Sequence, residues 1–136
     1  MWLNESLIDD LGIGESYVDG EVERQRAAVA ETVERYRADR PALDLAGKRV
    51  VIVDDGVATG ATTIACLRQI RDAGAEYVVL AVPVAPPDTA ERLYCEADEV
   101  ICVEAPPHFH AVGQFYDSFE QVSDDEAITS LRADEA

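Results

Sequence analysis

Val50-Val51-Ile52-Val53-Asp54-Asp55-Gly56-Val57-Ala58-Thr59-Gly60-Ala61-Thr62-Thr63 is the stretch that decides the fold. Four β-branched residues run straight into two carboxylates. A short loop with two glycines and three threonines follows, and then an apolar segment that reads as a helix. A run without polar alternation predicts a parallel strand buried on both faces. In open α/β sheets the carboxyl end of such a strand is where ligands bind. The loop 58–62 leads into the helix, where first-turn N–H groups have no intrahelical partner and the helix dipole adds partial positive charge. A phosphate suits that place, and small residues let it come close. Asp54 and Asp55, one loop away, suit vicinal hydroxyls or a hydrated Mg²⁺. Together they ask for a ligand with a phosphate and a diol, a ribose 5-phosphate. The plainer reading is a solvated acidic turn before an ordinary helix start. It competes evenly for the acidic pair alone and poorly for the whole stretch.

These residues, VVIVDDGVATGAT, resemble the signature of the type I phosphoribosyltransferases: a hydrophobic strand, two acidic residues, a few small residues, then Thr-Gly-x-Thr. The resemblance implies binding of phosphoribosyl pyrophosphate (PRPP) with Mg²⁺. By it, Asp54 and Asp55 would hold the ribose 2- and 3-hydroxyls and meet the metal indirectly, through water. Ala58, Thr59, Gly60, Ala61 and Thr62 would cradle the 5-phosphate.

A wider likeness reaches most of the chain. Leu3-Asn4-Glu5, Asp44-Leu45-Ala46-Gly47, Ala81 to Pro86, Ala111 to Tyr116 and Ser123 to Glu126 resemble one particular branch of phosphoribosyltransferase-domain proteins. The implied fold is a three-layer α/β/α arrangement with a mainly parallel sheet, here reduced at its N-terminal side. Members of that branch carry an earlier strand and an Arg-Gly-Gly loop that binds pyrophosphate, and this sequence has no Arg-Gly-Gly. The expectation is one domain over 1–136, N-terminally short, as a fragment, a misplaced gene start or a naturally shortened protein. Residues 16–40 stand where the family has a flexible loop that closes over PRPP, so they are expected as a long helix or as that insertion. Arg24, Arg26 and Arg40 are then candidates for pyrophosphate contacts.

Composition narrows the setting. The 136 residues carry 28 Asp plus Glu against 11 Lys plus Arg, net −17, and Lys48 is the only lysine. That balance resembles salt-adapted, haloarchaeal proteins, because self-repulsion at such charge needs screening. It argues against nucleic acid as a partner, which wants a basic patch. The length fits one core. Cys66, Cys95 and Cys102 lack metal-ligand spacing and read as buried reduced thiols in a cytoplasmic protein. No apolar run reaches membrane-spanning length, and no secretory signal opens the chain.

Along the chain, Met1 to Ile13 suggests a brief strand and a helical turn, with Trp2 as an anchor. Ser16 and Asp19 look like a capping box opening a helix to about Arg37, ended before Pro41. Val22, Val29, Val33 and Tyr36 share one face of it, fit for core or dimer packing. The motif strand is expected over 49–54 and a helix over 62–73, stopped by Gly74. A strand over 77–84, a helix over 88–95 and a strand over 99–103 follow. Strands alternating with helices through short connections predict a parallel sheet with right-handed crossovers. Ser123 to Glu126 is a second capping box, before a last helix to about Arg132.

Ala58 stands where some purine-salvage relatives of that family carry an acidic general base, and alanine moves no proton. The catalytic group is therefore unassigned. A weak acceptor pocket is expected from Pro83, Phe109, Phe115 and Tyr116 over the sheet's carboxyl ends. His108 and His110 are either proton carriers there or loop residues beside the two phenylalanines. The leading reading is transfer of phosphoribosyl from PRPP to a nitrogen acceptor such as a nucleobase-like compound, by a homodimer. The alternative is a non-catalytic module that binds PRPP or a nucleotide. A phospho-acceptor signalling domain fails, because it needs a lysine near the last strand. A P-loop fails, because there is no Gly-Lys-Ser/Thr.

Overall fold

The computed structural model describes residues 5–37 and 40–133. In chain order the elements are α1 (Glu5–Leu11), α2 (Glu15–Arg37), β1 (Arg49–Val53), α3 (Ala61–Asp72), β2 (Tyr77–Val84), α4 (Pro87–Leu93), β3 (Glu99–Glu104), a 3₁₀ turn (Val112–Phe115) and α5 (Asp124–Ala133). They form two compact units. Among the described residues, one is Leu43–Phe119; the other joins 5–37 and 40–42 to 120–133.

The first unit holds a three-stranded parallel sheet in the order β1-β2-β3. Val51 lies opposite Val79, and Leu80 lies opposite Val100. The parallel sheet with helical crossovers stands as expected. The side-chain period of two sorts each strand onto two faces. One face presents Val78, Leu80 and Val82 of β2, with Val50, Ile52, Val100 and Cys102 beside them. Ile64 and Leu67 of α3 and Ala90 and Leu93 of α4 pack on it. Leu67, Leu80, Leu93 and Val78 are fully buried there.

The other face corrects one expectation. β1 is an edge strand, not a strand buried on both sides, and Val51 and Val53 are 61% and 76% exposed. Ile101 and Val103 of β3 are exposed on the same face. The doubly covered strand position belongs to β2, where even Val79 is buried.

Asp98 fixes the entry to β3. Its carboxylate accepts from the Val78 N–H at 2.7 Å and pairs with the Arg71 guanidinium at 2.9 Å. The backbone hydrogen bond first, and Arg71 second, hold its pKa below the ordinary carboxylate value. Glu96, bound by Arg68 along the same side, is likewise lowered. Gly74 ends α3 at a φ of +86°, and its carbonyl accepts from the Gly47 N–H at 2.9 Å. A residue with a Cβ would strain that turn.

In the second unit, the Tyr36 hydroxyl of α2 donates to Asp124 at 2.6 Å, and Arg35 pairs with Asp124 and Asp125. The Ser123 capping box forms: its N–H and hydroxyl donate to the Glu126 carboxylate at 2.9 and 2.7 Å. The other expected box does not. α2 begins at Glu15, so Ser16 lies inside the helix, and the turn is closed by the Tyr17 N–H donating to the Gly14 carbonyl. None of α2 is buried: Val29 and Val33 are exposed, so the apolar stripe has no core to enter within the described residues. Trp2, Leu3 and Asn4 lie outside the described residues. No helix of the described residues is long and apolar enough to cross a membrane.

The cysteines also depart from expectation. Cys66 and Cys95 are exposed, Cys102 is half-buried, and none is in a disulfide among the described residues. Cys66 sits on the flank of α3 beside the fully buried Leu67, one position off the face that meets the sheet.

Candidate functional site

The ladder does not stop where β1 ends. The Asp54 N–H donates to the Ala81 carbonyl at 3.3 Å and the Val57 N–H to the Val84 carbonyl at 2.9 Å. These two bonds clamp the acidic pair against β2 while both carboxylates stay exposed. The Asp55 N–H donates to the Asp54 side chain at 3.0 Å. Gly56 is required by close approach: a Cβ there would meet Val112 at 2.7 Å and Val84 at 3.0 Å. The 3₁₀ turn is thus docked on the acidic loop, and the Tyr116 hydroxyl closes it by donating to the Asp55 carbonyl at 2.6 Å.

Ala58, Thr59, Gly60, Ala61 and Thr62 form the turn into α3. Gly60 is the N-cap, at a φ of +79°, and offers no side-chain oxygen. The first-turn N–H groups therefore have no side-chain cap of ordinary length; only the Ala61 N–H reaches the Thr59 hydroxyl, at a long 3.5 Å. Thr59 and Thr62 are exposed beside this opening. A small anion suits a helix start left without a side-chain cap.

The carbonyls of the same turn point the other way, into α4. The Thr89 hydroxyl donates to the Ala58 carbonyl at 2.9 Å. The Arg92 guanidinium donates to the Thr59 carbonyl at 2.8 Å and to the Thr89 hydroxyl at 3.2 Å. Neither residue was singled out by the sequence pattern. The signal was present in Pro86-Pro87-Asp88-Thr89-Ala90-Glu91-Arg92: a threonine and an arginine three apart share a helix face. That helix follows the strand next to the motif strand, so its start lies beside the loop 58–62.

The aromatic loop is also built. Phe109 and Phe115 stack at 5.2 Å between centroids, and Tyr116 and Phe119 at 5.1 Å. The Gln114 side chain staples it, donating to the His108 carbonyl and accepting from the His110 and Ala111 N–H groups, at 3.0, 3.0 and 3.3 Å. His108 and His110 are exposed. Tyr116 is turned to Asp55, while Pro83 lies within β2, on the face away from α3 and α4. Of the four expected pocket residues, only Phe109 and Phe115 touch each other in a ring pair.

Of the expected pyrophosphate arginines, Arg24 pairs with Glu21 and Arg26 with Glu23, within α2. Arg40 donates to the Leu131 carbonyl at 3.5 Å. Cys66, in the second turn of α3, is exposed as a residue but its thiol is partly shielded from water, and that desolvation first and the Asp54 charge second raise its pKa. Among the described residues no three His, Cys, Asp or Glu side chains form a metal cluster. Two carboxylates alone suit a Mg²⁺ that keeps its waters and arrives on phosphate oxygens.

Comparisons with known proteins show the family of the chain. The family model of the phosphoribosyl transferase domain matches residues 3–120. A Mycobacterium tuberculosis protein, named provisionally as a phosphoribosyl transferase, is 41% identical over 129 residues, covering 95% of this chain. The amidophosphoribosyltransferase of Methanothermobacter thermautotrophicus is 33% identical over 82 residues, covering 60% of this chain and 16% of its own length. The crystal structure of TT1426 from Thermus thermophilus superposes with a TM-score of 0.77 at 44% identity, covering 86% of this chain. The chain belongs to the phosphoribosyl transferase domain family. It spans 29% of the length of the M. tuberculosis relative and 56% of the T. thermophilus chain.

Proposed function

We propose that the chain binds PRPP with Mg²⁺ and transfers its phosphoribosyl group to a nitrogen acceptor, a nucleobase-like compound. The observation that carries this reading is the single ledge after β1. There two clamped, exposed carboxylates precede a loop that opens a helix whose N-cap supplies no side-chain hydrogen bond to the first-turn N–H groups. Asp54 and Asp55 accept from the ribose hydroxyls and meet the metal through water. Residues 58–62 hold the 5-phosphate. Mg²⁺ supplies charge stabilisation to the departing pyrophosphate when bound. The chain's own part is positioning, and fixed dipoles near developing charge. Phe109, Phe115 and Tyr116 form one wall for the acceptor ring. The protein works in the cytoplasm, as a homodimer, at a net charge suited to high salt.

A second reading has its own support. Ala58 carries no proton to move. In that reading the same ledge senses PRPP without turnover.

A PRPP isotherm in Mg²⁺, run beside an assay for pyrophosphate release with candidate bases, separates the two. Saturable binding without release supports the sensor. The double variant Asp54→Asn, Asp55→Asn tests the ledge itself: unchanged PRPP affinity would overturn the ribose assignment.

A further inference from the structure

We infer that Thr89 and Arg92 of α4 are positioning residues for the phosphate-binding turn, and that they act by holding the carbonyls of Ala58 and Thr59 turned away from the ligand. This rests on the reading of 58–62 as the 5-phosphate cradle. A trans peptide sets its C=O and the following N–H in opposite directions in one plane. Fixing the Ala58 carbonyl on the Thr89 hydroxyl therefore aims the Thr59 N–H away from α4. Fixing the Thr59 carbonyl on Arg92 does the same for the Gly60 N–H. Without those two bonds either peptide is able to flip and present a carbonyl oxygen, which repels a phosphate.

The contact is built rather than incidental. Thr89 is 4% exposed, and its methyl is so near Gly60 that a Cβ at position 60 would meet it at 3.1 Å. Gly60 is left-handed, so Thr89 presses on a residue where the peptide planes of the turn are set. Arg92 adds a cation behind the turn. Its hydrogen bonds go to the uncharged oxygens of the Thr59 carbonyl and the Thr89 hydroxyl, so its guanidinium charge is held behind the turn. In a chain of net charge −17, that local cation offsets repulsion of a phosphate.

The test is titration calorimetry of the full chain with ribose 5-phosphate, with a thermal melt of every variant. Thr89→Val keeps the shape and removes the hydroxyl; Thr89→Ser keeps the hydroxyl. We expect Thr89→Val and Arg92→Ala each to weaken ribose 5-phosphate by about tenfold, the scale of one net hydrogen bond. Thr89→Ser should stay within about threefold of the parent, because its donor remains. Parent-like affinity in both Thr89→Val and Arg92→Ala overturns the positioning role and leaves the cradle reading intact. Equal loss in Thr89→Val and Thr89→Ser, tracking melting temperature, overturns it too, because packing would then be the whole role. Arg92 is exposed, so Arg92→Ala decides the matter where Thr89→Val does not fold. A parent chain that binds neither ribose 5-phosphate nor inorganic phosphate overturns the cradle itself.

Discussion

The Tyr116 hydroxyl donates to the backbone carbonyl of Asp55 at 2.6 Å, across 61 residues of chain. The bond ties the aromatic loop to the peptide that sets the second carboxylate. A net hydrogen bond of this kind is worth about 0.5–1.5 kcal/mol, and Tyr116 is partly exposed, which favours the lower part. Tyr116→Phe keeps the ring against Phe119 and removes only the donor. Its PRPP affinity should fall by about two- to tenfold with little change in melting temperature. A parent-like isotherm would mean that Asp55 is held by the ladder alone.

Glycine at two positions of the ledge is dictated by different causes. At Gly60 the left-handed backbone costs an alanine roughly 1–2 kcal/mol, and the Thr89 methyl adds crowding. At Gly56 the cause is contact, since a methyl would lie 2.7 Å from Val112. Gly60→Ala should therefore lower stability and phosphate affinity together. Gly56→Ala should displace the 3₁₀ turn, which near-ultraviolet circular dichroism of the Phe109, Phe115 and Tyr116 rings would report. An overpacking cost of about 1–3 kcal/mol is expected for it in urea titration.

Much of this ledge was legible in the sequence because its signals are local. Val50 to Val53 specify a strand, Asp54 and Asp55 mark its end, and the small residues 58–62 mark the loop into α3. What the sequence hid is long-range. Val50–Val53 and Val78–Val82 both lack alternation, and only the strand order decides that β2 is central and β1 an edge. The support from Thr89 and Arg92 depends on that same adjacency. The Gln114 staple depends on how a loop without regular structure folds back on itself. Ser16 failed as a cap for a local reason: Gly14 offers its carbonyl two residues earlier, so the helix starts ahead of the hydroxyl.

Asp98 should make the first unit sensitive to acid. Its folded pKa is lowered by the Val78 N–H and then by Arg71, below the 3.8 of an ordinary aspartate. The sign follows from linkage: the stabilisation is present above the unfolded pKa and is lost as pH falls through the folded one. Asp98→Asn should melt earlier than the parent at pH 7, and the two should converge as pH drops below about 3.8. Salt should weaken the Arg71 part more than the backbone part, because the ion pair is partly exposed. A constant gap between the two melting curves from pH 7 to pH 2 would show that the charge of Asp98 contributes nothing.

The two faces of the sheet should differ sharply in what they tolerate. Leu80 is fully buried beneath α3 and α4, so Leu80→Ala should cost about 2–5 kcal/mol, the lost transfer energy plus the cavity. Val51 and Val53 lie on the opposite face of the neighbouring strand and are mostly exposed. Val51→Thr and Val53→Thr should each stay within about 0.5 kcal/mol, since threonine keeps the β-branched shape and no packed neighbour is lost. Urea denaturation of the three variants at one protein concentration checks the contrast. Threonine costs approaching that of Leu80→Ala would mean that this face is covered in solution. Repeating the melts over a range of protein concentrations would then distinguish a second copy, whose protection grows with concentration, from cover supplied within one chain.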